Sequence, residues 1–125
     1  MSRLEFPYDA AYKPPAPVVE IVVVGQGGAR AHCKALVDPS ASVSCIPRDV
    51  LDSIQAPFTV EVMIRTFLGG TEVLPRRAVT IRLGSKEARL EVLPHAGQVT
   101  LLGRDFLNDC VVVLDGKAQT VCVDD

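Results

Sequence analysis

At 125 residues, with nearly half of them apolar and a formal net charge of -2, the chain has the size and composition of one folded domain. That balance argues against a disordered chain and against a polyanion-binding surface, so no nucleic-acid partner is expected. No apolar run reaches the length of a bilayer span and residues 1–5 lack the charged head and apolar stretch of a signal peptide, so no membrane partner is expected and the expected location is the cytoplasm.

Along the chain, residues 1–17 carry Pro7, Pro14, Pro15 and Pro17 among scattered aromatics, which predicts an extended arm with little order. Residues 18–125 are expected to form the single folded domain. Within it, β-rich apolar runs predict strands at 19–24, 29–37, 58–66, 72–83, 87–93, 110–114 and 119–123. Turn chemistry separates them. Gly25-Gln26-Gly27-Gly28, Gly69-Gly70, Gly84-Ser85 and Asp115-Gly116-Lys117 supply residues tolerant of positive φ, and these connections read as hairpins. Only 48–54 and 104–108 look helical, the first opened by Pro47. The fold class is therefore all-β, a small closed barrel or folded sheet with one or two short helices.

Cys33, Cys45, Cys110 and Cys122 lie far apart without a Cys-x-x-Cys pair and read as small buried thiols. Neither His32 nor His95 has a second ligand three or four residues away, so neither a metal nor a cofactor is expected.

Two segments stand out chemically. Ala35-Leu36-Val37 ends in Asp38, followed by Pro39-Ser40-Ala41-Ser42 and then by Val43-Ser44-Cys45-Ile46. Taken alone, Asp with Pro and Ser is ordinary turn chemistry, the carboxylate satisfying backbone amides. The second segment is an apolar strand, Val99-Thr100-Leu101-Leu102, that runs through Gly103 into Arg104-Asp105-Phe106-Leu107. Ser40, Ser42 and Ser44 follow Asp38 closely, but there is no Gly-x-Ser-x-Gly elbow and no histidine placed to serve as base, which argues against a serine hydrolase.

Strand, acidic loop, Gly-Gly hairpin and Leu-Leu-Gly-Arg-Asp-x-Leu, in that order over about residues 18–125, together resemble the retropepsin-like aspartic peptidases. The resemblance implies a barrel-like protomer that acts as a symmetric homodimer on peptide or unfolded-protein substrates. Each protomer would contribute Asp38, because the reaction needs two touching carboxylates, one holding a proton while the other activates water. Phe67, Leu68, Gly69, Gly70 and Thr71 match the flap that closes over substrate. Gly103, Arg104 and Asp105 match a structural Gly-Arg-Asp. The strands near Val19 and at 119–123 correspond to stretches that interleave between protomers in retroviral relatives.

The loop departs from the family's Asp-Thr-Gly or Asp-Ser-Gly. Pro39 lacks the hydroxyl that locks the two loops together, Ser40 fills space that the usual glycine leaves for substrate, and Ser42 stands where an aspartate is common. These departures imply an impaired aspartic endopeptidase. The alternative is a catalytically inactive pseudo-peptidase serving as a dimeric peptide-binding or interaction module.

Overall fold

The computed structural model describes residues 3–65 and 68–124. Its strands are β1 (Arg3–Pro7), β2 (Val18–Val24), β3 (Arg30–Val37), β4 (Cys45–Pro47), β5 (Phe58–Arg65), β6 (Thr71–Leu83), β7 (Lys86–His95), β8 (Thr100–Leu102), β9 (Val111–Asp115) and β10 (Thr120–Asp124). Two short helices, α1 (Arg48–Ser53) and α2 (Arg104–Leu107), complete the chain. No helix among the described residues is long and apolar enough to cross a membrane.

The larger sheet runs β2-β3-β8-β4-β7-β6-β5, and β2 also pairs with β6. That extra pairing closes six of these strands into a mixed barrel and leaves β5 as an outer strand on β6. Alternation drives the closure. In β2 the side chains of Val19, Ile21 and Val23 point inward and are fully buried, while Glu20 is exposed between them. Val79, Ile81 and Leu83 of the adjoining β6 and Val92 of β7 do the same. Leu51 of α1, Ile54 just after it and Phe106 of α2 plug the interior, each burial worth about 1.5–3 kcal/mol.

Arg77 fastens α1 to the barrel. Its side chain is buried and donates to the carbonyls of Ala56 and Leu51 and to the Asp52 carboxylate, and it lies 4.3 Å from the centroid of the Phe58 ring. Three acceptors and an aromatic face satisfy a guanidinium that would otherwise be costly to bury.

A second, three-stranded sheet has the order β1-β10-β9. It corrects one expectation. Residues 3–7 of the arm are ordered, because β1 pairs with β10 over Arg3↔Asp124 to Pro7↔Thr120 and places Leu4 and Phe6 against the core. The four prolines weigh on composition, but three of them lie beyond this strand and Pro7 sits at its last residue, where a missing donor costs least. Within the chain β10 is paired on both sides, by β1 and β9, whereas β2 is paired with β3 along its length and with β6 only over Val22–Val24.

Elsewhere the expected strands appear with small shifts of boundary. The glycine-rich 25–28 segment does join a hairpin, β2 to β3, but through a short 3-10 turn at Gln26–Gly28 in which Gly27 and Gly28 have φ of 66° and 81°. The apolar strand expected at 99–102 is present as the three-residue β8, and the three-residue β4 is an addition to the expected strands.

Candidate active site

The site begins with a topological feature. β8 lies between β3, to which it is parallel, and β4, which it meets at Cys45↔Leu101. The chain leaving β3 at Val37 must therefore step across the end of β8 to enter β4. Residues 38–44 make that step, and Asp38 stands at its start.

Gly103 is the floor of the crossing. A Cβ there would lie 2.8 Å from the Ala41 carbonyl oxygen and 3.0 Å from the Val43 carbonyl carbon, both backbone atoms, so only glycine lets the end of β8 pass beneath the loop. The backbone then stitches the two segments together. Asp38 N–H donates to the Leu102 carbonyl at 3.0 Å, and Arg104 N–H donates to the Ala41 carbonyl at 2.8 Å.

Side chains complete the brace. Ser44 is fully buried; its hydroxyl donates to Asp105 Oδ1 at 2.7 Å and accepts the Gly103 N–H at 2.9 Å, while its own N–H donates to Asp105 Oδ2 at 3.0 Å. Asp105 Oδ1 also accepts the Phe106 N–H at 3.0 Å. The Arg104 guanidinium donates to the Pro39 carbonyl at 2.7 Å, so the helix holds the near side of the loop as well as its far end. Each polar group taken out of water here has a partner, which is the condition for burying such a network.

Asp38 itself is half-buried. Its Oδ1 accepts the Ser40 N–H at 3.1 Å and also the Ser40 hydroxyl, and its carbonyl accepts the Ala41 N–H at 3.1 Å. The turn chemistry read from Asp-Pro-Ser is thus present. It fixes the carboxylate's orientation and also sets the Ser40 hydroxyl directly on one carboxylate oxygen. Pro39 and Ser40 are exposed, as is Ser42, and Ala41 is half-buried.

Cys45 follows the loop. Burial pushes its thiol pKa up, and the nearby carboxylates of Asp105 and then Asp38 push it further in the same direction, so it stays protonated at neutral pH. Cys33, Cys45 and Cys122 are free thiols. No group of three or more His, Cys, Asp or Glu side chains placed to hold a metal ion occurs among the described residues.

Of the residues singled out in the sequence, Asp38, Pro39, Ser40, Ala41, Gly103, Arg104 and Asp105 are thereby gathered into one constellation. The hairpin residues belong to a different element. β5 and β6 pair in register up to Arg65↔Thr71, and Leu68, Gly69, Gly70 and Thr71 stand exposed at its tip, with Leu68 95% exposed and Gly69 at φ 89°. Phe67 lies outside the described residues. Ser44 escaped the sequence reading except as a nucleophile to be dismissed; the available signal was one small polar residue inside the apolar entry Val43-Ser44-Cys45-Ile46. Fully buried and bonded to Asp105, it is part of the scaffold.

Comparison with known proteins bears on this arrangement. A family model described as "gag-polyprotein putative aspartyl protease" matches residues 27–109, which span both halves of the constellation. No curated protein matches the sequence significantly. Among solved structures, a retropepsin-like aspartic protease from Rickettsia conorii superimposes with a TM-score of 0.66 at 13% identity, over 98% of this chain and 90% of that one. The EIAV protease, solved with an inhibitor, gives 0.58 at 21% identity over 75% and 86% of the two chains. The protease of simian foamy virus gives 0.55 at 21% identity over 73% and 91%. At these identities the likeness establishes a shared fold.

Proposed function

The chain belongs to the gag-polyprotein aspartyl protease family, the retropepsin-like fold, and from that premise we propose that it is an aspartic endopeptidase of reduced activity, working as a homodimer on peptides or unfolded proteins. The observation that carries the proposal is the mounting of Asp38. A carboxylate at the end of β3 is fixed by a buried polar network whose other residues have no evident task except to hold that loop. One chain contains one such loop. A dyad requires a second copy, related by a two-fold axis that sets Asp38 against itself.

In that dyad the two carboxyls share a proton, since like charges in contact cannot both ionise. The ionised Asp38 takes a proton from a water, the resulting hydroxide adds to the scissile carbonyl carbon, and the protonated Asp38 gives its proton to the carbonyl oxygen. Collapse of the tetrahedral intermediate breaks the C–N bond and a proton passes to the leaving nitrogen. Leu68 to Thr71, at the tip of the β5–β6 hairpin, would cover the substrate and exclude water.

Pro39 and Ser40 set the reduction in activity. Pro39 offers no hydroxyl to the facing loop, and Ser40 adds bulk beside the carboxylate. The Ser40 hydroxyl on Asp38 Oδ1 is also the observation that favours a second reading, a dimeric peptide-binding module whose carboxylate is occupied by its own turn. Cleavage of a denatured protein separates the two. Restoring threonine and glycine by Pro39→Thr with Ser40→Gly should raise the rate, and adding Asp38→Asn should abolish it. A folded, dimeric double variant without cleavage across about pH 4–7, the range in which a shared-proton dyad operates, would favour the binding module.

A further inference from the structure

The outer face of the barrel carries an arrangement that the Asp38 loop does not use. Strand registers set Arg30 of β3 beside Val24 of β2, Val24 beside Thr80 of β6, and Thr80 beside Arg89 of β7. Residues in register share a face, so one row across four strands reads Arg, Val, Thr, Arg. Both arginines are exposed, and Val24 and Thr80 between them are half-buried.

Charges around this row are matched, and those within it are not. Arg82 is bonded to Glu87 at 2.7 Å, Arg76 lies 3.9 Å from Glu91, and Lys34 stands in register with Glu20. Glu87 and Glu91 flank Arg89 on its own face of β7, so the carboxylates nearest to it along the strand are already engaged. Arg30 and Arg89 make no ion pair among the described residues. Beside Arg89 an open depression of about 270 Å³, bounded by Val24, Gln26, Pro57 and Thr80, has room for an aliphatic side chain.

We propose that this row docks an extended segment of another protein with the pattern acid-x-aliphatic-x-acid, its carboxylates on Arg30 and Arg89 and its aliphatic side chain over Val24 and Thr80. The spacing selects the pattern. Three strand spacings put the arginines about 14 Å apart, and in an extended chain residues i, i+2 and i+4 face one way over about 13 Å. Charge selects the class of partner. Glu20 and Glu87 on the same face repel a polyanion or an anionic bilayer, whereas two discrete carboxylates at this spacing avoid both. Arg30 opens β3 and Asp38 follows its last residue, about 26 Å along the strand, so docking leaves the carboxylate site open.

NMR titration of the isotope-labelled full chain with the peptide Gly-Ser-Asp-Thr-Val-Thr-Asp-Ser-Gly at low ionic strength tests this. Amide shifts should gather at Arg30, Val24, Thr80 and Arg89. Arg30→Ala and Arg89→Ala should each weaken binding about two- to fivefold, the range of an exposed ion pair. Moving the second Asp by one place, in Gly-Ser-Asp-Thr-Val-Asp-Thr-Ser-Gly, turns it to the other side of the peptide and should weaken binding by a similar factor. Arg89→Glu should reject the first peptide and accept one with Lys in place of the second Asp, a reversal that loss of the fold could not produce. Equal binding of the two acidic peptides overturns the row, as do shifts confined to another face or none at millimolar peptide. Binding to phosphatidylserine vesicles that Arg30→Ala and Arg89→Ala weaken, without binding of the peptide, makes the face a membrane contact and overturns the proposal too. The peptidase reading rests on Asp38 and stands whichever result is found.

Discussion

The Asp38 loop and the tip of the β5–β6 hairpin are both loops of similar length, and they are held in opposite ways. The first is fastened to β8 and α2 by backbone and side-chain bonds that reach across some sixty residues of sequence, around a serine with no exposed surface. The second projects Leu68 into solvent beside a glycine at positive φ. Under the proposed function, the contrast is a division of labour. A carboxylate that must meet its own copy needs placement to a fraction of an ångström, and a buried, satisfied network supplies it. A cover over substrate must open, so its tip gains nothing from being tied down.

The largest effect should come from cutting the brace. Asp105→Ala removes the acceptor of the Ser44 hydroxyl and of the Ser44 and Phe106 amides, and should cost on the order of 3 kcal/mol in urea unfolding at unchanged m-value. Asp105→Asn, which keeps one acceptor, should cost clearly less. Equal and small losses for both would mean that the network does not hold the loop. Next comes Gly103→Ala, where the new methyl meets backbone on two sides; a loss of about 1–3 kcal/mol is expected. Gly116→Ala, with open space around its Cβ, is the control and should stay within about 0.5 kcal/mol.

At the hairpin the account predicts the reverse pattern. Leu68→Ser should leave the melting temperature where it is and raise KM for a peptide substrate, with kcat less affected. A drop in melting temperature instead would show that the tip is packed, and the contrast between the two loops would fail. The smallest effect is a titration. Because the carboxylates of Asp105 and Asp38 help to raise the Cys45 pKa, Asp38→Asn should lower it slightly and speed alkylation of that thiol at mildly alkaline pH, with Asp105→Asn having the larger effect. Peptide-resolved mass spectrometry reads the rate at Cys45 alone, and slower alkylation in either variant would contradict the assigned proximity.

Much of this molecule could be read from its residues because the long strands alternate and their turns are marked by Gly-Gly, Gly-Ser and Asp-Gly. The strands β4 and β8 are too short to show a period, yet they create the crossing on which the site is built. β1 was obscured by neighbouring prolines, although Leu4 and Phe6 already alternate with Arg3 and Glu5. Asp38 and Gly103 were legible because a carboxylate after an apolar strand and a glycine before Arg-Asp are local patterns. Ser44 was not, since its role depends on a partner 61 residues away that no local pattern announces.

The central claim is that two copies of Asp38 act as one site. A peptide mimic bearing a tetrahedral hydroxyl at the scissile position, titrated calorimetrically into the Pro39→Thr/Ser40→Gly chain, tests it most directly, because such a hydroxyl sits between the paired carboxyls. The account predicts one mimic bound per two chains, and no binding once Asp38→Asn is added. One mimic per chain, or binding that survives Asp38→Asn, would contradict it.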